Sequence, residues 1–411
     1  MVYGLIGEKL AHSYSPYIHN QFADYDYKLY EVKPAQLKEF ILNSKIGGLN
    51  VTIPYKKEVI RYCDILSPAA KAIGSVNTIY SRDNKLYGDN TDIYGFLYML
   101  EKADISLSNK NVIILGSGGT SLMAQYACRL KKAKNYVVVS RKGDINYHSL
   151  ENFKDYDIII NTTPVGMYPN NLNSPVDLTG FNRLSGVVDV IYNPLKTSLI
   201  YQAQSLNIRH ANGLSMLVAQ AAKSCELFIG SQMSTLKINR VINDLFKSVQ
   251  NIVLIGMPGC GKTTIANKLG EKLKRPVIDT DNIVEQSAKL KIPQIFEQYS
   301  EAHFRSLEHK AVIDAGKQNS AIIATGGGVV LNTKNYMPLC QNARIYYIER
   351  PLSLLRTEGR PLSKSYDALK KMYSKRNGLY KNFCDKCISN TGNIDSAVQS
   401  IIEDFYENTS Y

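Results

Sequence analysis

The fold of the second half of the chain is decided by one stretch, Ile252-Val253-Leu254-Ile255-Gly256-Met257-Pro258-Gly259-Cys260-Gly261-Lys262-Thr263. It satisfies G-x-x-x-x-G-K-[ST] between a short apolar strand and a helix expected to begin near Lys262. In this context backbone amides cradle phosphates, the lysine neutralises the β and γ oxygens, and the next hydroxyl coordinates Mg²⁺. The sequence therefore predicts an ATP and magnesium site. The residues assigned to it are Gly259, Cys260, Gly261, Lys262, Thr263 and Thr264.

A second glycine-rich turn follows the buried strand Val112 to Leu115 and opens another helix. Glycines at such a place let backbone amides approach a pyrophosphate at the positive end of the helix. The spacing departs from G-x-G-x-x-G, and an ordinary tight turn is the alternative. The candidate cofactor residues are Gly116, Ser117, Gly118, Gly119 and Thr120.

The next strand, Tyr136 to Val139, ends in Ser140-Arg141-Lys142. A dinucleotide enzyme reads the adenosine ribose at about this position. An acidic residue would favour NAD, whereas a 2′-phosphate needs cations, and arginine offers a planar fork of donors. We therefore expect NADP rather than NAD, with solvated loop charges as the alternative reading of the same residues.

Short β-branched runs alternate with amphipathic stretches along the whole chain, from Val2–Ile6 to Ile345–Ile348. This alternation is typical of βαβ units and predicts an α/β protein with parallel sheets. At roughly 150 residues per domain, 411 residues indicate two or three domains. The segment Leu214 to Ile229 reads as a helix that ends at Gly230. A polar stretch then leads to a boundary near residue 249.

Composition narrows the possible partners and compartment. The net charge of +13 is spread over both halves, which fits small anionic ligands and predicts no nucleic-acid partner. No run approaches the roughly 20 apolar residues of a spanning helix, and Met1 to Gly4 do not resemble a signal peptide. Seven cysteines, an odd number, fit a reducing compartment. We expect a cytoplasmic protein with no membrane partner, in which Cys384 and Cys387 are structural.

Six longer motifs follow one another through residues 1 to about 230. They are Ala11-His12-Ser13-Tyr14-Ser15-Pro16-Tyr17-Ile18-His19-Asn20, Gly48-Leu49-Asn50-Val51-Thr52-Ile53-Pro54-Tyr55-Lys56, Ile73-Gly74-Ser75-Val76-Asn77-Thr78, Gly88-Asp89-Asn90-Thr91-Asp92, Asn161-Thr162-Thr163-Pro164-Val165-Gly166-Met167 and Gly213-Leu214-Ser215-Met216-Leu217-Val218-Ala219-Gln220. In kind and order they resemble the motifs of shikimate dehydrogenases. The resemblance implies a substrate-binding domain, a Rossmann NADP-binding domain, and reduction of 3-dehydroshikimate to shikimate with NADPH.

Short polar side chains in these motifs suit a polyhydroxylated acid. The serines can hold a carboxylate, although a plain helix-start turn would use them equally well. Other hydroxyl and amide groups can each bond a ring hydroxyl. The resemblance assigns these substrate roles to Ser13, Ser15, Thr52, Asn77 and Gln220.

Hydride transfer also requires a side chain that moves the hydroxyl proton. The resemblance selects Lys56 beside Asp92, which also contacts the substrate. A neighbouring carboxylate favours the charged amine and burial favours the neutral one, and the balance would poise the lysine for proton transfer. The resemblance further implies that Val190 and Gly213 contact NADP and that Tyr192 lies near the substrate. Ser215 departs from the family, in which glycine is common there.

Five motifs follow the loop at Gly256. They are Asp279-Thr280-Asp281, Ala302-His303-Phe304-Arg305-Ser306-Leu307-Glu308, Gly326-Gly327-Gly328, Gly359-Arg360-Pro361-Leu362 and Arg376-Asn377-Gly378-Leu379-Tyr380. In this order they resemble shikimate kinases, over residues 250 to 411. The resemblance implies a P-loop kinase domain with a parallel sheet flanked by helices, which phosphorylates the 3-hydroxyl of shikimate with MgATP.

The resemblance also assigns roles within this second site. Arg305 and Arg376 would clamp the carboxylate of the acid, and Asp281 would accept a bond from the attacking hydroxyl. Asp279 would hold Mg²⁺ through water. Arg360, on a lid, would close over ATP and stabilise charge on the transferring group. Gly327 and Gly328 would leave room for the ring.

Two departures from the kinase family concern the lid and the segment after it. The lid between Arg360 and Arg376 is shorter than is usual, and Gly378 stands where proline is common. They bear on lid closure and adenine contacts rather than on the acid-binding residues.

Both halves thus point to one small acid, and we expect a bifunctional shikimate dehydrogenase and shikimate kinase. The expected domains are a substrate-binding domain (1–95, joined by helix 214–230), a Rossmann domain (96–213), a linker (231–248) and a kinase domain (249–411). One alternative is a quinate/shikimate dehydrogenase, possibly with NAD, fused to a small-molecule P-loop kinase. Another is a nucleotide-sensing regulatory protein on the same folds.

Overall fold

A computed structural model describes residues 1–10, 13–355 and 366–407. The chain divides into two compact units, Met1–Leu245 and Phe246–Tyr411. The described residues form three sheets of six, five and five strands, with helices between the strands. The predicted α/β class is confirmed. Among the described residues no helix is both long and apolar enough to cross a bilayer.

The first sheet has the strand order β2-β1-β3-β5-β6-β4. Its strands are β1 (Val2–Gly7), β2 (Tyr27–Glu31), β3 (Ile46–Val51), β4 (Ile65–Leu66), β5 (Thr78–Arg82) and β6 (Lys85–Asp89), with helices α1 (Ser15–Phe22), α2 (Leu37–Asn43), α3 (Pro68–Ile73) and α4 (Asp92–Lys102). β5 runs antiparallel to both β3 and β6. The sheet is therefore mixed, which corrects the expectation of parallel sheets. Between β5 and β6 the chain is reversed by a two-residue hairpin at Asp83 and Asn84, whose φ angles of 50° and 57° are left-handed.

The second sheet is parallel throughout, in the order β11-β10-β9-β7-β8. It comprises β7 (Asn111–Leu115), β8 (Asn135–Val139), β9 (Ile158–Asn161), β10 (Gly186–Asp189) and β11 (Arg209–Ala211), with helices α5 (Gly119–Leu130), α6 (Ser198–Ser205) and α7 (Leu214–Ile229). Adjacent residues such as Ile113 and Ile114 enter different apolar cores, because both faces of the sheet are covered. Helix α7 ends at Gly230 as predicted, with φ 73°, and it packs against α4 and β3.

Most of the predicted linker is helical. Helix α8 (Thr235–Val249) buries Ile238, Val241, Ile242 and Leu245. These residues follow the i, i+3, i+4, i+7 spacing of one helix face, a signal that the polar composition of the segment obscured. The division between the two units falls within this helix.

The third sheet, in the second unit, is also parallel, in the order β13-β14-β12-β15-β16. Its strands are β12 (Asn251–Ile255), β13 (Val277–Asp279), β14 (Ile322–Ala324), β15 (Ala343–Glu349) and β16 (Lys386–Ser389), and its helices are α9 (Lys262–Leu273), α10 (Thr280–Ala288), α11 (Ile292–Gln298), α12 (Glu301–Gly316), α13 (Tyr336–Cys340), α14 (Tyr366–Phe383) and α15 (Ile394–Glu407). β12 is central and completely buried. The Gly256 loop therefore leaves the sheet at the carboxyl edge of its middle strand, the usual ligand-binding edge of such folds.

Candidate active sites

Lys56 and Asp92 meet in the first unit. The Lys56 Nζ donates to Asp92 Oδ2 over 2.6 Å, and Asn77 Nδ2 donates to Oδ1 of the same carboxylate over 2.9 Å. Lys56 is placed by the turn after β3 and by its carbonyl, which accepts a bond from Val76 N at 2.7 Å. The lysine and aspartate side chains are 30% and 21% exposed, so the ammonium is fixed in direction yet open to a ligand.

Gln220 reaches the same cluster from α7. Its Oε1 accepts a bond of 3.4 Å from Thr91 Oγ1, and Thr91 N donates to Asn77 Oδ1 over 2.7 Å. Thr91 thus links Gln220 to Asn77, which itself bonds Asp92. Sequence reasoning quoted Thr91 within a motif but gave it no role.

Ser13 and Ser15 lie together at the start of α1. The Ser13 Oγ donates to Ser15 Oγ over 3.1 Å and accepts a bond from Ser15 N at 3.2 Å. The ring of Tyr14, between them, meets the ring of Tyr192 edge-on at 6.1 Å. Tyr192 therefore approaches the serine pair from the other sheet. Thr52 follows β3 directly, and its amide bonds Ile6 O at 3.0 Å.

The glycine turn after β7 has the shape that a phosphate site requires. Gly116 has φ +106°, and a Cβ there would lie 2.8 Å from Thr162 Oγ1. A Cβ on Gly118 or Gly119 would meet no described atom within 4 Å, so this side of the turn is open. Helix α5 begins at Gly119, which leaves its first amides free to bind an anion. Ser117 is exposed beside Gly118, and Thr120 lies in the first turn of α5.

The predicted ribose-reading residues lie at the same edge of the sheet. Ser140 follows β8 and its amide bonds Ile145 O at 3.1 Å. Arg141 and Lys142 come next and are exposed. Parallel strands place their carboxyl ends at one edge, so these cations follow the strand next to the Gly116 turn.

Val190 and Gly213, to which the resemblance assigns one role, are in direct contact. A Cβ on Gly213 would lie 2.0 Å from Val190 O, so only glycine fits between β10 and the start of α7. Gly213 N also donates to Ile191 O over 2.9 Å. Ser215 is 1% exposed and faces the interior from α7.

The Gly256 loop lies between β12 and α9, the strand and helix between which its pattern was expected. Gly256, Gly259 and Gly261 have φ angles of 146°, 84° and 100°, which other residues rarely adopt. Lys262 is 8% exposed, and its Nζ donates to Gly256 O at 2.8 Å and Met257 O at 3.0 Å. The ammonium is therefore folded back along the loop. Cys260 is a buried residue of this loop, whereas Thr264 is exposed on α9.

The two predicted magnesium-site residues are in contact. Thr263 Oγ1 donates to Asp279 Oδ2 over 3.0 Å, and Asp279 Oδ1 accepts a bond from Asp281 N at 3.0 Å. The pKa of the Asp281 carboxyl is raised to about 6. Burial is the larger cause, and the negative charge of the neighbouring Asp279 is the next. A hydroxyl and a carboxylate oxygen side by side are hard ligands of the kind Mg²⁺ prefers.

A cavity of about 780 Å³ connects the phosphate loop to the predicted acid site. Asp281, Arg305, Gly327, Gly328 and Arg376 all line it. A Cβ on Gly328 would lie 2.0 Å from Arg305 NH1, so the glycine leaves room for the guanidinium itself as well as for a ligand. Arg360 lies outside the described residues.

The two arginines of this cavity are held by different partners. Arg305 donates to Glu308 Oε2 at 2.9 Å and Glu301 Oε1 at 3.0 Å, and Arg376 NH1 donates to Gly327 O at 2.9 Å. Glu308 is 1% exposed and was quoted in a motif without a role. Since guanidinium has five donors, both arginines keep others for a carboxylate.

Cys384 and Cys387 lie outside both sites. Their sulfur atoms are 3.7 Å apart, between the end of α14 and β16. Among the described residues, no group of three or more His, Cys, Asp or Glu side chains could hold a metal ion.

Comparison with known proteins agrees with both geometries. Residues 5–79 match the shikimate dehydrogenase substrate binding domain, and residues 258–406 match shikimate kinase. Shikimate dehydrogenase (NADP(+)) of Clostridium beijerinckii is 40% identical over 268 residues, covering 61% of this chain and 98% of that protein. The chain belongs to the shikimate dehydrogenase family. With its shikimate kinase domain it is a bifunctional enzyme of the shikimate pathway.

Solved structures support the same assignment for the dehydrogenase half. A chorismate mutase/shikimate 5-dehydrogenase fusion protein from Clostridium acetobutylicum is 39% identical, with a TM-score of 0.56, covering 59% of this chain and 95% of that one. Shikimate 5-dehydrogenase from Thermus thermophilus, solved with NADP(H) and shikimate, is 26% identical, with a TM-score of 0.54, covering 59% and 98%. The enzyme class predicted from the motifs is confirmed for the dehydrogenase and the kinase.

Proposed function

We propose that the dehydrogenase half reduces 3-dehydroshikimate to shikimate with NADPH and that the kinase half phosphorylates the 3-hydroxyl of shikimate with MgATP. The observation that carries the first activity is the Lys56–Asp92–Asn77 cluster. It offers an ammonium group that can donate a proton, held beside a carboxylate that also accepts a bond from the Asn77 amide, and the Lys56 side chain is 30% exposed. The second activity is supported by Arg305 and Arg376, which line one cavity with the Lys262 loop.

Lys56 is placed to act as the proton donor of the reduction. When bound, the nicotinamide supplies the hydride to the ketone carbon. The developing alkoxide then takes a proton from Lys56 Nζ, while Asp92 holds the ammonium in direction. Ser13 and Ser15 would hold the carboxylate of the acid with their hydroxyl groups. Thr52, Asn77 and Gln220 would bond the ring hydroxyls, and Tyr192 would border the substrate.

The choice of NADP rests on the turn after β8. A 2′-phosphate would find hydrogen-bond donors in Ser140 and in the exposed side chains of Arg141 and Lys142. None of the three is an acidic residue, which would favour the free ribose of NAD. Gly116 to Thr120 would bind the pyrophosphate, and Val190 and Gly213 would border the nicotinamide. The boundaries 1–95, 96–213 and 249–411 are the domain limits that we propose for these functions.

In the kinase half, Thr263 and Asp279 would hold Mg²⁺, with Asp279 acting through water. The ion, when bound, neutralises charge on the phosphates. Lys262 would turn from the loop carbonyls to the β and γ oxygens. Asp281 would accept the bond from the attacking hydroxyl, and Arg305 and Arg376 would clamp the carboxylate.

A coupled assay tests both activities on the full chain. With 3-dehydroshikimate, NADPH, ATP and Mg²⁺, loss of NADPH and formation of ADP are followed separately. We expect NADPH to fall first and ADP to appear only once shikimate has formed. Added shikimate should remove the lag. NADPH loss without any ADP would refute the kinase proposal, and faster turnover with NADH or of quinate would refute the cofactor or substrate assignment.

A further inference from the structure

Asp189, the last residue of β10, is a buried carboxyl group that the proposed reaction does not use. It is 0% exposed and accepts three hydrogen bonds. Asn161 Nδ2 and Ile191 N donate to Oδ1 at 3.0 and 3.1 Å, and Thr197 Oγ1 donates to Oδ2 at 2.7 Å. Burial raises the pKa of Asp189 to about 7 against the opposing effect of these donors. Burying a carboxyl group is unfavourable unless it is hydrogen-bonded. These three bonds therefore stabilise Asp189 in its position, and they tie it to the segments that donate them.

The three partners belong to three separate segments. Asn161 ends β9, and its Oδ1 in turn accepts bonds from the amide and the hydroxyl of Thr163 at 3.0 and 2.7 Å. Ile191 lies between Val190 and Tyr192, and its carbonyl accepts the bond from Gly213 N. Thr197 caps the start of α6. One carboxyl group therefore sets the mutual positions of the β9 loop, the β10 loop and α6.

All three segments lie on one side of the pyrophosphate turn. In the order β11-β10-β9-β7-β8, β7 carries the Gly116 turn and β8 carries Arg141. A dinucleotide lies across the carboxyl edge with its pyrophosphate at the first turn and its adenosine ribose at the next strand. Because the adenosine half occupies the β8 side, the nicotinamide half must extend over β9 and β10.

We propose that Asp189 is a positioning residue for the nicotinamide half of the cofactor, acting through the loops after β9 and β10. The proposal rests on the proposed use of NADPH. It makes a specific demand on binding: the loss of Asp189 should weaken contacts with the nicotinamide half and leave contacts with the adenosine half intact. A purely structural residue would affect both halves together.

The experiment compares binding of NADPH and of 2′,5′-ADP, which carries only the adenosine half, to the full chain. Asp189→Leu removes all three bonds while keeping a branched side chain, and we expect the Kd for NADPH to rise about tenfold or more. The Kd for 2′,5′-ADP should change by less than about twofold, since its site lies on the other side of β7. Asp189→Asn retains an acceptor oxygen and should recover most of the NADPH affinity.

Two further variants keep the test decisive. Thr197→Val removes only the bond to Oδ2 and should raise the NADPH Kd about threefold even where Asp189→Leu fails to fold. Asp157→Leu is the matched control. Asp157 is 8% exposed and binds Asn111 N at 2.9 Å, but it precedes β9 at the opposite edge of the sheet. Asp157→Leu should change the Kd values for NADPH and 2′,5′-ADP by the same factor or leave both unchanged. Kinase activity should persist in every variant.

Equal weakening of NADPH and 2′,5′-ADP by Asp189→Leu, or unchanged NADPH binding in both Asp189→Leu and Thr197→Val, would overturn the proposal. Failure of the proposed function gives a different result. A wild-type enzyme that reduces 3-dehydroshikimate only with NADH would refute the assigned cofactor. The same comparison with NADH and AMP would then decide the role of Asp189.

Discussion

The Lys56 ammonium lies 2.6 Å from Asp92 Oδ2, although 35 residues separate the two along the chain and they follow different elements, β3 and β6. Asn77 fixes the other carboxylate oxygen at 2.9 Å. Asp92 is therefore hydrogen-bonded through both carboxylate oxygens, while the Lys56 side chain remains 30% exposed. In the proposed reduction, this arrangement would orient Lys56 as the proton donor.

Removal of that donor should stop only one of the two activities. Lys56→Ala is expected to lower the dehydrogenase kcat by about 10²- to 10⁴-fold, the usual contribution of a positioned acid. Shikimate phosphorylation should be unchanged, because the kinase site lies in a separate compact unit. The adjacent Lys57, which is exposed, provides the control variant Lys57→Ala. Loss of both activities in Lys56→Ala would contradict separate sites.

The converse change lies in the phosphate loop. Lys262→Ala should lower the kinase kcat/KM about 10³-fold, because the ammonium that would neutralise the β and γ oxygens is lost. Reduction of 3-dehydroshikimate should continue at the wild-type rate. Lys268→Ala on the same helix is the control, since the Lys268 side chain is 39% exposed and pairs with Asp395 at 2.7 Å. Both activities are measured on each purified variant.

Two glycines of the dehydrogenase half should respond to alanine in opposite ways. At Gly213 the new methyl group would lie 2.0 Å from Val190 O, so Gly213→Ala should destabilise the unit by about 1 to 3 kcal/mol. At Gly119 no described atom lies within 4 Å, so Gly119→Ala should keep or slightly raise stability. Its methyl group would instead occupy space needed by the pyrophosphate.

Urea denaturation and NADPH titration separate these two effects. Gly119→Ala should weaken NADPH binding without lowering the denaturation midpoint. The reverse result, a destabilised Gly119→Ala with normal NADPH affinity, would show that the open side of the turn is not the cofactor side.

His19 should make the dehydrogenase half sensitive to acid. It is 1% exposed, its ring stacks on Tyr27 at 4.0 Å, and Nδ1 lies 2.6 Å from the Tyr25 hydroxyl. Burial lowers its pKa from 6.5 to about 3, so between these values the unfolded chain binds a proton that the folded chain does not. The free energy of unfolding should therefore fall as pH drops below 6.5, by up to about 1.4 kcal/mol per pH unit.

His19→Phe keeps an aromatic ring against Tyr27 but cannot titrate. The variant should be less stable than wild type at pH 7.5, because phenylalanine cannot bond Tyr25. The difference in the free energy of unfolding should narrow at pH 5.5, because only the wild type loses stability as pH falls. Urea denaturation at the two pH values, followed by the loss of dehydrogenase activity, measures this. A difference that is constant with pH would mean that His19 binds protons equally in the folded and the unfolded chain, so that burial does not lower its pKa.

Local pattern alone was enough to determine much of this enzyme. The phosphate loop at Gly256, the turn at Gly116 and the end of α7 at Gly230 depend on the backbone freedom of glycine and on strands and helices a few residues away. The strands β7 and β12 were predicted to within one residue of their ends, because buried strands of parallel sheets are nearly continuous apolar runs. The other site residues were assigned through the resemblance of their motifs to two enzyme families.

The tertiary structure decided what depends on residues far apart in sequence. The antiparallel placement of β5, the burial of α8, the support of Arg305 by Glu308 and the three bonds of Asp189 are examples. Each is a hydrogen bond or apolar contact whose partner is chosen by packing, since a buried polar group must find a partner wherever the fold brings one. The sequence was enough to identify the chemical groups of each site, whereas the tertiary fold determined their hydrogen-bond and packing partners.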